Sequence, residues 1–281
     1  MQKNKIIRAG LLGGRLSRSL SPEVFGVFAR QTGTEIRYSL RETEASGLSA
    51  VIAGARGEGW SGFNVTFPHK RAVLPMLALT DPAAKAAGAV NAVRFGRAGL
   101  EGLNTDARAL LQAFEGHGVT VQGKTAVVFG AGGAAGAAGW ALGRSRAASV
   151  TILARDQEQA LALALRLSEC FTETRFTTGT FAAPAGLPDI AVNATPLGMY
   201  TPEPVPFTPA AGCVCVDFAY TPGGTAFIRA ALAAGTGCID GLELLVAQAA
   251  LSLKFWTGLP AGDIVKFTRE ALGLLLERKE P

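Results

Sequence analysis

The sequence predicts an α/β protein in two parts, and three observations predict it. Short apolar runs alternate with helical patterns along most of the chain, the rhythm of mainly parallel sheets with crossover helices. A β-branched apolar run, Lys124 to Phe129, passes straight into Gly130-Ala131-Gly132-Gly133 and then a helix of small residues, which is the strand, tight turn and helix of a dinucleotide site. The 281 residues suit two domains better than one, and 48% hydrophobic against 17% charged residues gives both parts a core.

Taken in order, Ile6 to Gly13 reads as a buried strand. Ser21-Pro22 opens a helix, with Ser21 as N-cap and Pro22 at the first helical position. Ile36 to Leu40 reads as a strand, residues 44–55 as a helix, Ser61 to Val65 as a strand, 81–87 as a helix and Asn91 to Phe95 as a strand. Asn104 to Phe114 is a longer helix that ends near Gly116-His117-Gly118. After the glycine turn the small-residue helix runs to about Leu142. Val150 to Ala154 follows as a strand, 157–168 as a helix, and Asp189 to Asn193 and Cys213 to Phe218 as further strands. A long helical pattern, Gly241 to Trp256, comes last. One domain boundary falls in the helix around 104–115 and a second near Asp240.

Composition excludes several functions. Formal net charge is +5, but no run of five Lys or Arg occurs, so a nucleic-acid surface is not expected; the mild positive charge suits anionic small molecules. Arg8 and Arg15 interrupt the stretch after Lys3 and Lys5 that would otherwise read as a signal peptide, and no membrane-spanning helix is expected. The four cysteines form no CxxC pair and only two histidines accompany them, so neither a metal site nor a disulfide framework is expected. Cys213 and Cys215 share one strand face as small buried side chains. A cytoplasmic protein, monomer or homodimer, is the expectation.

The turn Gly130 to Ala135 matches GxGxxA. Gly130 permits the tight turn, Gly132 lets backbone approach a pyrophosphate, and Ala135 lets the helix pack on the sheet; the N–H groups of Ala131, Gly133 and Ala134 lie at the helix start where an anion binds. The next strand ends in Ala154-Arg155-Asp156. Arg155 suits a 2′-phosphate, as in NADP. Asp156 would favour NAD if it faced the ribose, but with Gln159 three residues on it has capping-box spacing.

Gly62-Phe63-Asn64-Val65-Thr66-Phe67-Pro68-His69-Lys70 resembles the GxNVTxPxK signature of shikimate dehydrogenases. Further matches follow the family's order: Ser19-Leu20-Ser21-Pro22, Gly88-Ala89-Val90-Asn91, Asn104-Thr105-Asp106, the glycine turn, Asn193 to Met199, Asp217 to Pro222, Asp240-Gly241-Leu242, Ala247-Gln248-Ala249 and Trp256-Thr257-Gly258. The resemblance implies an N-terminal catalytic domain completed by C-terminal helices (residues 1–108 and 240–281) and a Rossmann-type NADP domain (109–239), with the active site in the cleft between them. It implies reversible reduction of 3-dehydroshikimate to shikimate, with Lys70 and Asp106 as the acid/base pair. A lysine suits that step because its ammonium stabilises a developing oxyanion and can donate a proton, and a carboxylate tunes and positions it.

Ser19 and Ser21, two apart and on one side of an extended backbone, are expected to bond the substrate carboxylate. Thr66, Asn91, Gln248 and Tyr220 are candidates for the ring hydroxyls, and Asn193, Thr195, Met199 and Gly241 for the nicotinamide. His69 and His117 are read as turn and loop residues. The chain departs from the common pattern at Phe25 (often His), Ala92 (often Thr), Ala107 and Ala109 (often Gly) and Gly136 (often Arg), and Asp240 to Leu244 lacks the usual Met. Two rivals remain: an enzyme acting on quinate or an amino analogue with NAD or NADP, and a nucleotide-sensing regulator without turnover. Retention of both Lys70 and Asp106 argues against the regulator.

Overall fold

The computed structural model describes residues 6–181, 187–201, 203–221 and 223–259, with 271 and 273. Lys3, Lys5, Pro222 and nearly all of the chain beyond residue 259 lie outside the described residues. The rest divides into two compact units. One holds the chain up to Ala84, Ala89–Thr105 and the part from Val246 on; the other holds Lys85–Gly88 and Asp106–Leu245.

In the first unit the strands are β1 (Ile7–Gly13), β2 (Ile36–Glu42), β3 (Gly62–Val65), β4 (Leu77–Thr80), β5 (Ala92–Gly96) and β6 (Gly99–Leu103). They form one sheet in the order β2-β1-β3-β5-β6-β4. The expected mainly parallel sheet is mixed here: β5 runs antiparallel to both β3 and β6. The cause is a hairpin in which Gly96 pairs with Gly99, the latter at φ +130°, a backbone only glycine adopts readily. Two glycines in β6 disguise it as loop in the sequence. The helices are α1 (Ser21–Thr32), α2 (Leu48–Gly57) and the single turn α3 (His69–Ala72), and α4 (Pro82–Ala87) begins here, its residues from Lys85 on belonging to the other unit. Leu12, Leu48, Ile52, Phe63, Val65, Val73, Val90 and Val93 build a core of this unit.

Helix α5 (Thr105–Gly116) carries the chain into the second unit. There β7 (Thr125–Phe129), β8 (Ser149–Leu153), β9 (Arg175–Gly179), β10 (Ile190–Asn193), β11 (Val214–Asp217) and β12 (Cys238–Ile239) make an all-parallel sheet, with α6 (Gly133–Arg144), α7 (Gln157–Cys170) and α8 (Ala226–Ala233). Helix α9 (Gly241–Thr257) begins in this unit, and from Val246 on its residues belong to the first. The order β12-β11-β10-β7-β8-β9 is that of a doubly wound dinucleotide fold. The order reverses between β7 and β10, so the crevice at their carboxyl ends is the ligand position of this architecture. β7 and β10 are almost wholly buried, which is why they read as continuous apolar runs. The sequence reading does not include β4, β6, β9, β12, α3 and α8. Among the described residues no helix is long and apolar enough to cross a membrane.

Candidate active site

The antiparallel pairings of β5 bring several chain ends to one edge of the first sheet. The carboxyl ends of β1, β3 and β6 and the amino end of β5 all lie there. The segments that leave or enter the sheet at that edge carry Ser19, Ser21, Thr66, Lys70 and Asn91, and β6 leads directly into α5, whose second residue is the buried Asp106.

Lys70 sits on α3, immediately after the cis Phe67–Pro68 bond. The His69 N–H donates to the Thr66 carbonyl and the Val90 N–H to the Lys70 carbonyl, both at 2.9 Å. His69, read as a turn residue, follows the turn at Phe67–Pro68 and is fully buried, and its Nε2 bonds the Thr43 carbonyl at 2.8 Å. The backbone of Lys70 is therefore anchored, and its side chain is half-buried. His117, read as a loop residue, pairs with Glu243 at 2.9 Å.

The serine pair differs from expectation. The N-cap of α1 is Leu20, with no side-chain cap, and Ser21 is already helical and buried. The Val24 N–H donates to the Leu20 carbonyl at 3.0 Å, which adds a helical bond ahead of the one that Pro22 suggested. Ser19 and Ser21 are thus not neighbours on an extended strand; the Ser19 Oγ accepts the Ser21 N–H at 3.3 Å. The Glu42 carboxylate accepts the Leu16 N–H at 2.7 Å and ties this loop to β2.

Asn91 and Gln248 are brought together, the Asn91 Nδ2 donating to Gln248 Oε1 at 3.5 Å. The Asn91 Oδ1 accepts the N–H of Thr105 at 2.7 Å and its hydroxyl at 3.1 Å. Asn64, part of the motif but not picked as a site residue, is buried. It accepts the Tyr38 hydroxyl at 2.9 Å and donates to the Asn91 carbonyl at 3.0 Å and to Ser252 at 2.8 Å. Phe25, at the first departure from the family pattern, stacks on Tyr38 with centroids 4.1 Å apart.

In the second unit the glycine turn stands at the switch point. Gly130 has φ +109°, and a Cβ there would lie 2.9 Å from the Ala194 carbonyl beyond β10, so only glycine fits. A Cβ on Gly132 would meet nothing within 4 Å, and Gly132 is the N-cap of α6. The open face over Ala131, Gly132, Gly133 and Ala134 fits a pyrophosphate held by helix N–H groups. Ala135 is fully buried against the sheet. Gly136 explains its own departure: a Cβ would lie 2.5 Å from the Ala87 carbonyl, leaving no room for an arginine. Arg155 is exposed after β8, while the Asp156 carboxylate accepts the Gln159 N–H at 2.9 Å and caps α7. That places the cation at the strand end and engages the carboxylate with the helix start, the pattern suited to a 2′-phosphate.

Asn193 and Thr195 are joined: the Asn193 Oδ1 accepts the Thr195 N–H at 3.0 Å and its hydroxyl at 2.6 Å. Met199 lies half-buried in the same turn, Tyr220 in the loop after β11, and Gly241 at the start of α9, where a Cβ would run into the Ala219 carbonyl. Sequence reasoning misses Asp217, which bonds both Asn193 and the Ala219 N–H. This carboxylate is fully buried, and its burial pushes its pKa up to about 7 against the pull of Thr225, Ala219 and Asn193. An acid ending an apolar strand was the available signal.

Residues 11–93 match the family model of the shikimate dehydrogenase substrate binding domain. A shikimate dehydrogenase (NADP(+)) of Anaeromyxobacter sp. is 38% identical over 260 residues, covering 90% of this chain and 92% of the relative. A shikimate 5-dehydrogenase of Thermus thermophilus, solved in complex with NADP(H) and shikimate, superposes with a TM-score of 0.80 at 32% identity, covering 94% of this chain and 99% of that one. The ligand-free 5-ketofructose reductase of a Gluconobacter species superposes with a TM-score of 0.79 at 29% identity over 95% of this chain and 99% of that one.

Proposed function

This chain belongs to the shikimate dehydrogenase family, and from that premise we propose that it is an NADP-dependent shikimate dehydrogenase, interconverting 3-dehydroshikimate and shikimate. One observation carries the reading. The sheet edge that presents Ser19, Ser21, Thr66, Lys70 and Asn91 lies within the segment matched by the substrate binding domain. In this reading a catalytic domain of residues 1–108 and 240–281 takes the substrate, and a domain of residues 109–239 takes the dinucleotide.

NADP(H), when bound at the Gly130 turn, supplies or accepts the hydride. The protein's own part is the proton. In reduction the Lys70 ammonium stabilises the negative charge that develops on the carbonyl oxygen as the ring carbon accepts a hydride, and it gives that oxygen the proton. Asp106, at the start of α5, is the proposed partner of Lys70 in the acid/base pair. Ser19 and Ser21 receive the substrate carboxylate, and Thr66, Asn91, Gln248 and Tyr220 read the ring hydroxyls. Asn193, Thr195, Met199 and Gly241 line the nicotinamide side, and Arg155 pairs with the 2′-phosphate. We assign the enzyme to the cytoplasm, as a monomer or homodimer.

The test is absorbance at 340 nm with shikimate and quinate, each offered with NADP and with NAD. Shikimate with NADP is expected to give the highest kcat/KM. Faster turnover of quinate would reassign the substrate, and no turnover in any combination would remove the enzymatic reading.

A further inference from the structure

The ends of β10 and β11 meet in a buried hydrogen-bond frame that the proton chemistry does not use. The Asp217 Oδ1 accepts from Asn193 Nδ2 and from the Ala219 N–H, each at 2.8 Å, and its Oδ2 accepts the Thr225 hydroxyl at 2.5 Å. Thr225 in turn accepts the Ile228 N–H at 3.2 Å and begins α8. Asn193 uses the remainder of its amide on the turn after β10, holding Thr195 and, at 3.3 Å, the Leu197 carbonyl. One carboxylate therefore joins the strand end and turn that carry Thr195 and Met199 to the loop that carries Tyr220 and to the cap of α8.

Burying a carboxylate is costly, and an apolar side chain would fill a strand end without that penalty. Its acceptors are the gain. They satisfy three donors on separate segments at once, which no apolar side chain can do. We propose that Asp217 is a positioning residue for the nicotinamide half of the dinucleotide, setting the turn at 194–199, the stretch Ala219 to Thr221 and the α8 cap at Thr225 in the arrangement that receives it. This rests on the NADP-binding reading above.

The test compares binding of NADPH, followed by its fluorescence, with binding of adenosine 2′,5′-bisphosphate, which lacks the nicotinamide. The full chain is used as wild type, Asp217→Ala and Asp217→Asn. The Asn variant keeps an acceptor for Asn193 and Ala219 and can donate to Thr225. Asp217→Ala is expected to weaken NADPH at least ~10-fold, the loss of roughly one hydrogen-bonded anchor, while leaving the bisphosphate unchanged. Asp217→Asn should recover most of the NADPH affinity. Thr225→Val, which removes one bond and leaves the carboxylate, should give the same split at smaller size and serves if Asp217→Ala does not fold. Unchanged NADPH binding in both Asp217→Ala and Thr225→Val, or parallel loss of both ligands, would overturn the proposal. A wild type that binds the bisphosphate but not NADPH would also overturn it, whereas one that binds neither removes the NADP reading itself.

Discussion

Asn91 Oδ1 accepts the Thr105 backbone N–H at 2.7 Å, so the residue just before β5 also holds the first residue of the helix that bears Asp106. A buried side chain read from the sequence as a substrate ligand is, in the structure, also a helix-start acceptor. Asn91→Ala should therefore cost about 1–3 kcal/mol of stability, the range for a buried donor left without its partner, and lower kcat/KM as well. Asn91→Asp keeps the acceptor at a helix N-terminus and should recover most of the stability. Urea denaturation of both variants checks this; equal stability of wild type and Asn91→Ala would show that the bond contributes nothing.

Lys70→Ala should lower kcat at least ~100-fold, the scale of a general acid/base contribution, with little change in the unfolding midpoint because its anchoring bonds are made by backbone. Asp106→Asn should act in the same direction. Near-normal turnover in either variant would remove that residue from the proton step.

Arg155 is exposed while Asp156 is engaged with the start of α7. NADP should therefore be preferred to NAD by about 10-fold, the value of one ion pair near 1.4 kcal/mol. In Arg155→Ala the preference should collapse, read as kcat/KM for each cofactor. An unchanged ratio would mean that another group reads the 2′-phosphate.

Asp217 gives a pH dependence with a definite sign. Its pKa is raised from 3.8 to about 7, first by burial and also by the nearby Asp240 carboxylate. Below the lower value the folded and unfolded chains both hold the proton. Between the two only the folded chain does, so this group's contribution to stability falls as pH rises through that window, by on the order of 4 kcal/mol in all. Asp217→Asn abolishes the titration. The stability of that variant relative to wild type should therefore improve by several kcal/mol between about pH 4.5 and about pH 8 in denaturant melts. A difference that does not vary with pH would mean that Asp217 ionises at its ordinary value.

The sequence by itself determined the family, the strand, glycine turn and helix at the centre of the second unit, and the chemistry-bearing residue types. Local physics explains why. Gly130 is required by a positive φ and the approach of a neighbouring strand's carbonyl, and β7 and β10 are apolar because both faces are covered. Asp156 is legible as a cap because its partner is three residues away. Tertiary structure alone decided the rest. The antiparallel run of β5, the burial of His69 beneath Thr43 and the start of α1 at Leu20 depend on partners distant in the chain or on a backbone turn with no side-chain signature. Asn64 meets Ser252 across 188 residues of sequence, and Asp217 gathers donors from β10 and from the cap of α8. A polar side chain's role is set by which donors its burial leaves within reach, and those donors are chosen by the packing of strands and helices rather than by neighbours in the chain.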